Sequence, residues 1–307
     1  MPNAVELSQV TKRFGTHVAV DHLDLVVPEG TVYGFIGPNG SGKTTTLRMI
    51  LRIFYPDEGH ICVLGRDHWI GADNRVGYLP EERGLYKKMK VRDILTFYAQ
   101  LKGLRDCRKD IDVWLERLDL TKWADKKVET LSKGMSQKVQ FIATVVSQPT
   151  LIVLDEPFSG LDPVNMDVLK DAVVSLRDKG STVIFSTHDM DVAERMCDTI
   201  FMIFRGQKVL DGSLESIQAQ YGNDTIRIRM PAINGGLTHL EGVARINEYG
   251  PYKELRMSPG ADPQKILRQL MAVGSLEHFE IARPSLHDIF VRIARPEPEE
   301  MKEPVHA

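Results

Sequence analysis

A glycine-rich loop near the amino terminus constrains the fold of this chain more than any other feature. Residues 37–44 read Gly-Pro-Asn-Gly-Ser-Gly-Lys-Thr and match the pattern G-x-x-x-x-G-K-[ST]. The apolar residues 32–36 predict a strand before the loop, and residues 45–51 predict a helix after it. Glycines let backbone amides approach phosphate oxygens closely, and the positive end of the following helix attracts the same anion. The segment therefore predicts a phosphate-binding loop.

The side chains at the end of this loop suit the phosphates of ATP. Lys43 is expected to reach the terminal phosphates, and the hydroxyl of Thr44 is expected to bind Mg²⁺. A glycine turn with an incidental Lys-Thr pair is the alternative, and the flanking strand and helix argue against it. The other predicted nucleotide contacts of the loop are Gly37, Pro38, Asn39, Gly40, Ser41, Gly42 and Thr45.

Strands and helices alternate along most of the chain. Residues 5–36 have the period of strands, and the apolar residues between 91 and 118 recur with a helical period. Three apolar runs of strand length, with helical segments between them, follow at 151–154, 182–185 and 199–204. This alternation predicts an α/β fold, in which helices pack on a mostly parallel sheet.

The pattern changes near residue 221, and a small α+β domain is expected from there. Strand-like stretches lie at 225–230, 243–249, 252–257 and 276–281, helical ones at 262–273 and 286–293, and a turn is expected at Gly250-Pro251. We therefore expect an ATP-binding domain at 1–220 and a second domain at 221–294. The tail at 295–307 is rich in Pro and Glu, and we expect it to be disordered.

Composition narrows the classes of function. The 307 residues are 42% hydrophobic and carry a net charge of −3, so no basic excess indicates nucleic-acid binding, and no nucleic-acid partner is expected. The three cysteines are far apart, which predicts reduced thiols and no metal site. The first residues do not resemble a signal peptide, and no run of about 18 apolar residues predicts a membrane span.

Two acidic residues follow the strand predicted at 151–154. Asp155 is expected to hold Mg²⁺, and Glu156 is expected to polarise the water that attacks the terminal phosphate. A surface acid in a turn before Pro157 is the alternative for Glu156. The preceding phosphate loop favours the catalytic role, because a P-loop enzyme needs a group that orients the attacking water.

The order of these motifs resembles that of the ATP-binding subunits of ABC transporters, over roughly residues 4–215. That order is far more specific than any single motif. The matching segments are Lys12-Arg13-Phe14-Gly15, the Q-loop-like Gly77-Tyr78-Leu79-Pro80-Glu81, the signature-like Leu131-Ser132-Lys133-Gly134-Met135, the D-loop-like Ser159-Gly160-Leu161-Asp162 and the switch-like Ser186-Thr187-His188. The resemblance implies a P-loop NTPase fold with an antiparallel β subdomain and a helical subdomain.

The resemblance also implies roles for single residues. Phe14 would stack on adenine, His188 would contact the γ-phosphate, and Asp162 would contact a second subunit. Each of the three also has a purely structural alternative. Phe14 could be a core aromatic, His188 a packed or capping residue, and Asp162 a helix N-cap. Ser132 and Gly134 would contact the γ-phosphate held by the second subunit.

Two motifs depart from the family pattern. Glu81 stands where the family has Gln. Its carboxylate can still bind Mg²⁺ or a water, but it adds negative charge near the γ-phosphate. Glu82 is adjacent, so the register could be shifted by one residue. In the signature, Lys133 replaces the first Gly and Met135 replaces Gln.

The implied assembly is a head-to-tail pair of ATP-binding subunits, expected to be a homodimer, attached through a separate transmembrane permease to the cytoplasmic face of the membrane. The ending Ser285-Leu286-His287-Asp288-Ile289-Phe290 resembles the C-terminal extension of bacterial drug, sodium and antibiotic exporter ATPases. An ABC ATPase that acts on ribosomes or DNA is the alternative, but fused ATP domains and inserted coiled coils are absent. A GTPase would carry Asn-Lys-x-Asp, which this sequence lacks.

Overall fold

The computed structural model describes residues 2–67, 73–82, 84–222, 224–230, 240–249 and 252–294. The chain divides into two units, residues 1–213 and 214–307. The elements of the first unit are β1 (Asn3–Phe14), β2 (His17–Pro28), β3 (Val32–Ile36), α1 (Lys43–Ile50), β4 (Glu58–Val63), β5 (Val76–Leu79), α2 (Val91–Leu101), α3 (Arg108–Arg117), α4 (Lys133–Val145), β6 (Leu151–Asp155), α5 (Pro163–Asp178), β7 (Thr182–Thr187), α6 (Met190–Met196), β8 (Thr199–Phe204) and β9 (Gln207–Gly212).

A six-stranded sheet with the strand order β5-β6-β7-β3-β8-β9 forms the centre of the first unit. The pairs from β5 to β8 are parallel, and β9 adds an antiparallel edge. Every residue of β3, β6 and β7 is buried, as expected for strands covered by helices on both faces. This sheet confirms the predicted α/β fold, and it aligns the carboxyl ends of β3, β6 and β7 at one edge.

A second, antiparallel sheet has the order β2-β1-β4, in agreement with the strand pattern of residues 5–36. The helical period between 91 and 118 belongs to two helices, not one. Gly103 follows the end of α2 with φ +85°, a left-handed conformation typical of helix ends, and α3 begins after it. The chain therefore has a helical subdomain, formed by α2, α3 and α4, whose helices pack on one another through the larger hydrophobic core.

The second unit is an α+β arrangement. Its elements are α7 (Leu214–Gln220), β10 (Thr225–Arg229), β11 (Val243–Tyr249), β12 (Tyr252–Met257), α8 (Pro263–Val273), β13 (His278–Ala282) and α9 (Leu286–Ala294). The strand order is β11-β12-β10-β13, and all neighbours are antiparallel. Ile226, Ile228 and Leu255 form a core with Ile266 and Leu270 of α8.

Some expectations for this region lie outside the described residues: the turn at Gly250-Pro251 and the tail at 295–307. The domain boundary after residue 220 stays a prediction. Within the described part of the chain, no helix is both long and apolar enough to cross a membrane.

Candidate nucleotide-binding site

The phosphate loop joins the end of β3 to the start of α1, as predicted. Gly42 has φ +111°, and a Cβ at this position would lie 2.6 Å from the carbonyl oxygen of Ala19. Gly40 has φ +76° and no atom within 4 Å of a built Cβ. Position 42 therefore requires glycine, both because of its positive φ and because a side chain would collide with Ala19. At position 40 the absence of a side chain leaves the backbone open to a ligand.

Lys43 is folded back along this loop. Its Nζ donates hydrogen bonds to the carbonyl oxygens of Gly37 (2.7 Å) and Pro38 (3.1 Å). Burial lowers the pKa of Lys43, and the nearby carboxylates of Glu156, Asp155 and Glu81 oppose that shift. The ammonium is thus partly desolvated and lies among acids, at a position that an anionic ligand would stabilise.

A cavity of about 360 Å³ opens beside the loop. Nine predicted site residues line it together, and Phe14 at its edge is 46% exposed, so this ring is not part of the core. The Phe14 ring meets Phe54 edge-on with centroids 5.5 Å apart. The lining residues are Phe14, His17, Ala19, Asn39, Gly40, Gly42, Lys43, Thr44, Thr45, Glu81 and Glu156.

Asp155 ends β6 and is fully buried. Its Oδ1 accepts hydrogen bonds from the hydroxyl of Thr44 (3.2 Å) and from the hydroxyl of Ser186 (2.6 Å). Its Oδ2 is buried and has no hydrogen-bond partner among the described residues. A free carboxylate oxygen beside a hydroxyl fits Mg²⁺, which prefers oxygen ligands and commonly takes few of them from the protein.

No group of three His, Cys, Asp or Glu side chains in the described ranges could hold a metal ion by itself.

Glu156 has φ +49°, a strained left-handed conformation for a residue with a side chain. Its Oε1 lies 3.0 Å from Nδ1 of His188, and its backbone N–H donates to Ser186 Oγ at 3.0 Å. The carboxylate is 10% exposed, whereas the imidazole is 57% exposed. The helix that follows His188 is capped by Asp189, so His188 is not a capping residue.

Eight predicted site residues do not line the cavity. Gly37, Pro38 and Ser41 belong to the phosphate loop itself, and Asp155 and His188 contact residues that do line the cavity. The other three are Ser132, Gly134 and Asp162. Ser132 is the N-cap of α4 and accepts a hydrogen bond from the backbone N–H of Met135 at 3.2 Å. Asp162 is the N-cap of α5 and accepts from the backbone N–H of Asn165 at 3.0 Å. Gly134 lies in the first turn of α4. All three belong to a surface separate from the phosphate loop of the same chain.

Known proteins are similar in sequence to this chain over most of its length. The ABC transporter ATP-binding protein YhaQ of Bacillus subtilis (strain 168) is 44% identical over 287 residues, which cover 93% of this chain and 96% of the relative. The chain belongs to the family of ABC transporter ATP-binding proteins. The Nod factor export ATP-binding protein I of Sinorhizobium fredii is 32% identical over 94% of this chain and 85% of its own length.

Separate parts of the chain also match family patterns. Residues 20–159 match the family described as "ABC transporter", and residues 212–294 match the "ATP-binding protein DrrA1-3-like, C-terminal domain". A solved structure described as the ATP-binding subunit of an ABC transporter superposes with a TM-score of 0.66 and 27% identity, over 71% of this chain and 93% of that one. These matches confirm the resemblance, the P-loop fold and the binding of ATP as a family property.

Three residues that surround the site in this ABC protein were not predicted: Ser186, His17 and Ala19. Ser186 lies opposite Asp155 in the parallel pair of β6 and β7. Its position in the switch-like segment 186–188 was a usable signal, since parallel strands that end together bring their last residues side by side. His17 and Ala19 follow the turn after β1, and no local pattern marks them.

Proposed function

We propose that this chain hydrolyses ATP and powers an exporter. The observation that carries the proposal is the Glu156 carboxylate, which faces the same cavity as Lys43 and Thr44 and lies 3.0 Å from His188. Lys43 would bind the terminal phosphates, with Phe14 against adenine. Thr44 and Asp155 would hold Mg²⁺, which would neutralise charge on the phosphate oxygens when bound.

Glu156 would orient and polarise the attacking water. The strained backbone of Glu156 and its hydrogen bonds fix the carboxylate in one place, and a fixed carboxylate is what water activation requires. His188 is exposed enough to contact the γ-phosphate while its Nδ1 holds Glu156. Glu81, at the Q-loop position, adds a negative charge to the cavity and would slow or retune hydrolysis.

A single chain offers only half of such a site. Ser132, Gly134 and Asp162 lie outside the cavity although their motifs match family segments that contact nucleotide or partner. A second copy placed head to tail would bring its Ser132 and Gly134 over the ATP held by Lys43. ATP-dependent closing of this homodimer and opening after hydrolysis would supply mechanical work.

The partner that receives this mechanical work would be a separate transmembrane permease, which would hold this chain at the cytoplasmic face of the membrane. A groove of about 600 Å³ in the first unit suits a segment of that permease, because it is lined largely by apolar residues and is open at the surface. Its lining includes Tyr78, Leu85, Tyr98, Leu101 and Ala143. Export as the direction rests on the name of the Sinorhizobium relative.

The test is co-purification of the tagged chain from native membranes. We expect a polytopic subunit to be recovered with it, and Leu101→Asp to reduce the recovery, because Leu101 lines the groove and is 61% exposed. Val113→Asp is the matched control, since Val113 is 62% exposed on α3 and does not line the groove. A ribosome-bound pool without membrane subunits would favour the alternative, a non-transport ABC ATPase that acts on a soluble assembly.

A further inference from the structure

The signature segment carries a lysine where the family has glycine, and its side chain has a defined place. Lys133 is the first residue of α4, and its side chain lies across Gly160 of the D-loop. A Cβ built on Gly160 would lie 2.5 Å from Cε and 3.1 Å from Cδ of Lys133, and closer still to Nζ. The lysine therefore occupies the space that any side chain at position 160 would need.

The rest of the first turns of α4 also contacts the D-loop region. A Cβ built on Gly134 would lie 3.4 Å from Cδ2 of Leu161 and 3.9 Å from Nδ2 of Asn165. One turn further along the helix, Nε2 of Gln137 donates a buried hydrogen bond to the carbonyl oxygen of Pro157 at 3.0 Å. Signature and D-loop of one chain therefore form a continuous packed surface.

Lysine is not the residue type that the first position of a helix favours. A positive charge at the first residue of a helix opposes the helix dipole, so a glycine or an alanine would be electrostatically better there. Within the described part of the chain, no carboxylate forms an ion pair with Lys133. The approach of its side chain to Gly160 is the contact that the structure shows for this exposed residue.

We propose that Lys133 is a positioning residue that holds the D-loop against the signature segment. Both segments would then contact the nucleotide of the other subunit together. The proposal rests on the proposed head-to-tail ATPase. Lys133 would act through Gly160 and the following Asp162, and it would do so without touching the cavity in which its own chain binds ATP. Its loss should therefore lower kcat and leave KM for ATP nearly unchanged.

The test is a double-mutant cycle on the full chain, read out as ATP hydrolysis. We expect Lys133→Ala to lower kcat about tenfold with KM within about twofold, as for small misplacements of catalytic groups. Gly160→Ala should lower kcat similarly, because its methyl group displaces the end of the flexible lysine side chain. The double variant should be no worse than Gly160→Ala alone, since both substitutions remove the same contact and only Gly160→Ala adds backbone strain at φ +71°. Lys133→Arg should retain most of the activity.

Gly180→Ala is the matched control, because Gly180 also has a positive φ (+97°) but no atom within 4 Å of a built Cβ. It reports backbone strain alone, and its effect should be independent of Lys133. Multiplied losses in the Lys133→Ala, Gly160→Ala double variant, or full activity of Lys133→Ala, would overturn the positioning role and leave the ATPase proposal intact. Absence of turnover in the unaltered chain would contradict both proposals.

Discussion

Ser186 supports both acids of the site. It donates a hydrogen bond to the Asp155 carboxylate at 2.6 Å and accepts one from the Glu156 backbone N–H at 3.0 Å, and it is fully buried. Glu156 has a left-handed backbone, and its N–H finds its partner on the neighbouring strand β7. One hydroxyl therefore fixes the candidate metal ligand and the candidate catalytic acid relative to each other.

Replacing this hydroxyl should affect both stability and turnover. We expect Ser186→Ala to lower the free energy of unfolding by about 1–3 kcal/mol, because the Glu156 N–H is left buried and unpaired. ATP hydrolysis should fall roughly 10- to 100-fold, as when a group that orients a metal ligand is removed. Urea unfolding and steady-state kinetics measure the two effects.

Ser181→Ala is the control for that substitution. Ser181 lies directly before the other end of β7, is buried, and donates to the carbonyl oxygen of Pro149 at 2.9 Å. Its loss should cost stability while hydrolysis is unchanged. Equal activity of Ser186→Ala and Ser181→Ala would show that Ser186 has only a structural role.

Among single residues, the sequence predicted those that a local motif marks by residue type and spacing. Lys43, Thr44 and Glu156 line one cavity, and Asp155 accepts a hydrogen bond from Thr44, because β3 before the loop and the parallel strand β6 end at the same edge of the sheet. The contact of Lys133 with Gly160, in contrast, depends on which distant segments become neighbours. Spacing along the chain carries no information about that.

Helix α4 links the signature segment to the central sheet, and its close approach to β5 depends on a glycine. A Cβ built on Gly77 would lie 2.8 Å from the carbonyl oxygen of Thr144 and 2.9 Å from Cγ of Pro149. Backbone and a proline ring cannot move aside as a flexible side chain can. The absence of a side chain at 77 therefore sets the distance between strand and helix.

A methyl group at this position should push the helix away from the strand. We expect Gly77→Ala to destabilise the first unit by about 1–3 kcal/mol, the usual cost of overpacking, as measured by urea unfolding. Gly84→Ala is the control, since no atom lies within 4 Å of a Cβ there. A Gly77→Ala protein as stable as Gly84→Ala would contradict the packing argument.

Elements with strong apolar patterns were predictable, and those with weak patterns were not. The buried strands β3, β6 and β7 and the strands of the second unit follow the predicted positions, because burial imposes apolar residues at regular spacing. Strands β4, β5 and β9 were missed. Half or more of the residues of β4 and β9 are exposed or partly exposed, and β5 is only four residues long and contains a glycine. The break between α2 and α3 was hidden by apolar residues on both sides of Gly103.

At the scale of the whole molecule, we propose that one chain supplies half of each ATP site. The phosphate loop and acids share a cavity, while Ser132, Gly134 and Asp162 lie elsewhere on the first unit. On this proposal two copies would be required for hydrolysis, and ATP itself would hold them together until Glu156 acts. The proposed assembly is supported by the absence of these three residues from the cavity and by the resemblance of their segments to the signature and D-loop of the family.

The most direct test measures hydrolysis and mass of the Glu156→Gln variant with ATP and Mg²⁺. We predict that turnover falls by at least about 100-fold, because the acid that polarises water is lost, and that sedimentation shows a stable ATP-dependent dimer. Glu116→Gln, an exposed change on α3, should behave like the unaltered chain. Normal turnover of Glu156→Gln, or a variant that binds ATP and stays monomeric, would contradict the account.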